Sequence, residues 1–161
     1  MATSSIVSVK FPPDESIEWV KLAIFIDGEG HIEITSRNKG KNASCLKLSC
    51  GNTDPRFVQW AQANFGGAIR KRAITKGWKI FWDWRVNGRD AAAILEKCLP
   101  HFIMKRDQAE VALAFSKLIG KRADERKNIP PQQFTTEMYE KRDLLMFKLR
   151  EVRENAAERV A

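Results

Sequence analysis

The spacing of apolar residues changes period several times along the chain, and each change marks an element. Pro12-Pro13-Asp14 reads as a helix start, with Glu15 and Glu18 in a first turn whose exposed N–H groups favour negative charge. The apolar residues Ile17, Val20, Leu22, Ala23, Ile24, Phe25 and Ile26 follow, and Gly28 and Gly30 end the helix. The period then becomes two. Ile32 and Ile34 alternate with Glu33, Thr35 and Arg37; after the polar turn 38–42, Leu46, Leu48 and Cys50 alternate with Cys45, Lys47 and Ser49. This pattern predicts a hairpin with one apolar and one polar face. Asn52-Thr53-Asp54-Pro55 opens a second helix carrying Phe57, Val58, Trp60, Ala61 and Phe65, ended by Gly66-Gly67. A second hairpin is predicted over 68–75 and 78–86, turning at Lys76-Gly77. Trp78, Ile80, Trp82, Trp84 and Val86 lie on one of its faces, as core under helices, and Lys79, Phe81, Asp83 and Arg85 on the other. Helical spacing fills 89–98, 101–119 and 132–157, with a charged loop at 120–131.

The expected architecture is therefore α+β, an αββαββα order with a four-stranded antiparallel sheet and helices on one face. Residues 1–13 are expected to be a flexible N-terminal segment and 14–161 a single domain. The bare sheet face would carry Arg37, Lys47, Arg70, Arg72, Lys79 and Arg85.

Charge sharpens this picture. The chain has a net charge of +8. Residues 31–90 hold twelve Lys/Arg against four Asp/Glu, so the two hairpins and the helix between them account for the whole excess. Such concentration on one structural unit points to a polyanion-binding face. Three cysteines at irregular spacing and two histidines offer neither a disulfide set nor a His/Cys zinc site. An intracellular setting is expected, cytoplasm or nucleoid, or an organelle if the gene is organellar. No apolar run is long enough for a membrane helix, so no membrane partner is expected, nor a small-molecule substrate.

The nine residues Leu22-Ala23-Ile24-Phe25-Ile26-Asp27-Gly28-Glu29-Gly30, followed directly by a strand, resemble the motif of the LAGLIDADG homing endonucleases. The resemblance extends over about residues 14–155. It implies a site-specific endonuclease that hydrolyses phosphodiester bonds of double-stranded DNA at a long pseudo-palindromic site, with Mg²⁺ or Mn²⁺. Single-motif members are homodimers, and a two-fold protein matches the two-fold backbone of duplex DNA. By the same resemblance Glu29 is the catalytic carboxylate and metal ligand, with the Gly28 carbonyl a further ligand. Leu22, Ala23, Ile26 and Asp27 would lie at the dimer interface. The third motif position, usually Gly, is Ile24, which must turn away from the partner helix or widen the contact.

Pro100 to Ala109 also resembles a family segment and puts Lys105 at the position of the active-site lysine. Asn52 and Arg56 stand where the family often has a polar and a basic residue. DNA contacts are expected from the outward strand positions Glu33, Thr35, Arg37, Cys45, Lys47, Ser49, Arg70, Arg72, Lys79, Phe81, Asp83 and Arg85, with Lys39, Lys41 and Lys76 on phosphates. Glu33 and Asp83 could accept from cytosine. The other reading of such a chain is a non-cutting nucleic-acid binder, either an RNA maturase or a transcription regulator. Glu29 and Lys105 favour the nuclease.

Overall fold

A computed structural model describes residues 5–37, 43–72, 79–118 and 135–158. Helix α1 (Ile17–Glu29) begins later than the proline pair suggests. Ser16 N–H closes a turn onto the Pro13 carbonyl at 2.9 Å, and the Ser16 hydroxyl then caps the helix by accepting from Glu18 N–H. Asp14 lies outside the helix and pairs with Lys97 at 2.7 Å. Gly30 allows the abrupt passage from helix to strand, since a Cβ there would sit 2.5 Å from the Ile26 carbonyl oxygen.

Strands β2 (Gly30–Arg37) and β3 (Ala43–Asn52) pair antiparallel, with Glu33 opposite Lys47 and Thr35 opposite Cys45. Helix α2 (Pro55–Phe65) is capped by Asp54 and leads to β4 (Gly67–Arg72) and β5 (Phe81–Asn87). Helix α3 (Gly88–Cys98), a 3-10 turn at Leu99–His101, α4 (Arg106–Ser116) and α5 (Thr136–Glu158) complete the described chain. Residues 102–105, predicted as helix, are instead an irregular link.

The antiparallel sheet has five strands rather than four. The segment expected to be a loose N-terminus contributes β1 (Ser5–Val7), which pairs with β4 and gives the order β1-β4-β5-β3-β2. Strand alternation separates the two faces. Ile32, Ile34, Leu46, Leu48, Trp84 and Val86 are buried with Trp19, Leu22, Ile26, Phe65 and Ile94 from the helices in one core. Trp84 lies within this core, its indole N–H on the Gly66 carbonyl at 2.8 Å, and Trp82 is half-buried on the same face. The tryptophans at 82 and 84 are thus packing residues; Trp78 lies outside the described residues. No described helix is long and apolar enough to cross a membrane.

Candidate active site and nucleic-acid face

Helix α1 ends where the sheet begins, so its last residues are positioned by the core. Leu22, Ala23 and Ile26 are fully buried in the chain's own core, and Asp27 is 6% exposed. These four residues are not an interface, which corrects the expectation for the motif helix. Helical spacing turns them inward and turns Ile17, Lys21, Ile24 and Gly28 outward. Ile17 and Ile24 are 65% and 64% exposed. Around Gly28 there is open space.

The buried Asp27 carboxylate is the anchor of the site. It accepts the backbone N–H of Ile103 at 2.7 Å and of Lys105 at 2.9 Å, holding the link between the 3-10 turn and α4. The Lys105 ammonium in turn donates to the Asp27 backbone carbonyl. Lys105 is thereby fixed beside the end of α1. Burial lowers its pKa below the ordinary lysine value, and Asp27 opposes that shift.

Glu29 is exposed and lines a hollow of about 310 Å³ on the helix-free face, together with His31, Glu33, Lys47, Arg72 and Asp83. Cys50 reaches the same hollow from below, its thiol pushed up to about 12 by burial and by the nearby Glu29 charge. His31 stands on the outward parity of β2. Burial, with the Arg153 guanidinium on α5, lowers its pKa below the usual imidazole value. Among the described residues no three His, Cys, Asp or Glu side chains gather to enclose a metal ion. Glu29 thus stands at the hollow as an exposed carboxylate that is not part of a closed cage of such side chains.

The sheet face is more ordered than alternation alone predicts. Asp83, 4% exposed, accepts from Arg72 at 3.0 Å and from Arg85 at 2.5 Å. It holds two arginines in place and does not reach out to a base, which corrects its expected role. Ser49, 7% exposed, lies between His31 and Arg85 in register and is likewise covered. Lys47 pairs with Glu33 at 3.1 Å, and the Thr35 hydroxyl donates to the Cys45 carbonyl. The Phe81 ring lies so close over Gly51 that a Cβ there would be 2.4 Å from it. Arg70 is exposed on the same face, opposite Asp83, and Lys79 is exposed just before β5. Arg37 ends β2 opposite Ala43; Lys39, Lys41 and Lys76 lie outside the described residues.

Asn52 and Arg56 are not brought to the hollow. Asn52 has the inward parity of Leu48 and Cys50, and its side chain accepts from Asp54 N–H. Arg56 is exposed and doubly bonded to Asp54, whose carboxyl it holds at about 2. Both residues build the entry to α2. Two other residues join the site without having been predicted. His31 was within reach of strand alternation, two positions before Glu33. Arg153 was not, because its place depends on how α5 packs.

The sequence matches no protein-family model and no curated protein. Solved structures do match. The homing endonuclease I-CvuI in complex with its target superposes with a TM-score of 0.53 at 21% identity, over 88% of this chain and 95% of that one. The archaeal intron-encoded homing endonuclease I-Vdi141I, complexed with DNA, gives 0.63 at 11% identity over 84% of each chain. The LAGLIDADG homing endonuclease I-GzeII, with its DNA target, gives 0.54 at 14% identity over 88% of this chain and 44% of that one. These likenesses, together with the nine-residue segment at the helix–strand junction, establish that this chain has the LAGLIDADG homing-endonuclease fold.

Proposed function

We propose that the chain is a site-specific endonuclease that hydrolyses phosphodiester bonds of double-stranded DNA, working as a homodimer with a divalent metal. The observation that carries this reading is the placement of Glu29. Its carboxylate is exposed where the motif helix meets the sheet, opens onto the helix-free face, and has Lys105 fixed nearby by Asp27. The neighbouring structures that hold DNA support DNA as the ligand.

The donor set fits a hard cation. One carboxylate and the Gly28 carbonyl form an oxygen-only partial shell, and Mg²⁺ keeps several waters and takes phosphate oxygens readily. Glu29 and Gly28 would hold Mg²⁺ or Mn²⁺, which when bound lowers the pKa of a water and offsets phosphate charge. The chain's own residues do the rest. Lys105 donates to charge developing on the phosphate, and Asp27 keeps the lysine there. Arg72 and Arg85, held by Asp83, present fixed N–H groups toward a groove or backbone. Ile17, Lys21, Ile24 and Gly28 form the stripe along which a second copy packs. An intracellular setting, in cytoplasm, nucleoid or an organelle, follows from a DNA substrate.

The test is Glu29→Gln. Duplex binding should persist while cutting with Mg²⁺ falls more than about a hundredfold, since an uncharged amide is a poor ligand for a hard cation. Cutting at the parent rate would remove Glu29 from the mechanism. A chain that binds structured RNA and leaves its selected duplex intact would instead be a maturase-like binder.

A further inference from the structure

We propose that Arg153, delivered by α5, is a phosphate-binding residue of this site, gripping the DNA backbone beside the phosphate at Glu29; this rests on the endonuclease reading above. Helix α5 comes after both hairpins and packs against α4 and the β2 edge. Leu149 is buried, and Leu145, Met146 and Val152 pack partly into the core around it. Arg142 lies one side of this seam, its guanidinium 5.5 Å from the Phe115 ring centre. These contacts fix the helix face that carries Arg153, four residues beyond Leu149.

Arg153 therefore arrives at the start of β2 by construction. Its Nη2 is 3.5 Å from His31 Nδ1, and His31 lines the hollow with Glu29. The His31 Nε2 is 3.9 Å from the Glu33 carboxylate on the other side. Arg153 is half-buried, and among the described residues no carboxylate is in ion-pair contact with it. Its situation contrasts with the arginines across the sheet, where Arg72 and Arg85 are both bound to Asp83.

A guanidinium stays charged at any working pH and has five donors in a planar fork. One donor toward His31 leaves the remaining fork free for two phosphate oxygens, the geometry for which arginine is suited. Among the described residues the side chains acting on the His31 side of this contact are mostly cationic. Lys47 and Lys105 act on His31 alongside Arg153, and Glu33 is already bonded to Lys47. An arriving phosphodiester supplies the missing negative charge. Since α5 approaches from the helix side and β2 borders the bare face, Arg153 is at the rim, where a backbone passes rather than where base edges lie.

The experiment is equilibrium binding of a mixed-sequence DNA duplex across a salt series, in the Glu29→Gln background so that the duplex stays intact. Each phosphate neutralised contributes about 0.9 to the slope of log affinity against log salt. Arg153→Ala should flatten that slope by about 0.9 per subunit with an unchanged melting temperature, and Arg153→Lys should keep the parent slope, because a point charge still neutralises a phosphate. An unaltered slope in Arg153→Ala, or a lower melting temperature alone, would make Arg153 a strut between α5 and His31. In that event loss of cutting by Glu29→Gln would leave the endonuclease reading standing. Absence of any duplex binding by the parent protein overturns both.

Discussion

Asp27 is the residue whose chemistry departs most from its apparent place in the motif. Its place in the motif, directly before Gly28, invites assignment to a subunit contact. Its burial and its two backbone partners instead make it the clasp that fastens the Lys105 segment to α1. Asp27→Ala strands the amides of Ile103 and Lys105, and hydrogen bonds to a charged group are the stronger kind. The expected loss is roughly 2–4 kcal/mol in chemical denaturation, with cutting reduced because the lysine loses its tether. Full stability in that variant would show that the segment finds equivalent partners by itself. Asp83 repeats the principle on the sheet, where an acid serves its neighbouring cations and not the solvent. Counting basic residues therefore overstates how many cations are free on this face.

Among the elements, α1 has two working sides. Leu22, Ala23 and Ile26 seal the core, while Ile17, Lys21, Ile24 and Gly28 form an outward stripe. Ile24, the departure from the usual motif glycine, falls on that stripe, so in a paired helix arrangement it widens the approach. Ile24→Glu places a charge there and should shift a dimer to monomer by sedimentation equilibrium, with the helical circular dichroism unchanged. A dimer that survives this change must be joined elsewhere. The strands were legible because a pleat imposes strict alternation, as Glu33, Lys47 and Arg85 against Ile32, Leu48 and Trp84 illustrate. Strand β1 was not, since Ser5-Ile6-Val7 is too short to show a period and takes its form from β4. The helix side of the site was equally hidden. Asp27 and Lys105 are 78 positions apart, and Arg153 lies 122 from His31; no local spacing carries such contacts.

At the scale of the whole molecule, the described helices pack on one side of the sheet, leaving the other side to arginines and lysines with a few embedded acids. Among the described residues lining the hollow on that surface, Glu29 is the one carboxylate held by no cation, at the lip where α1 runs into β2. This singleness has a consequence for a mixed pair, one subunit intact and the other carrying Glu29→Gln. If the chain works as the proposed dimer, both halves should still grip the duplex while only one breaks its strand. A supercoiled plasmid bearing the selected site should come to rest as an open circle, a programmed nick in a known strand. Linear plasmid from the mixed pair would mean that one carboxylate can serve both backbones.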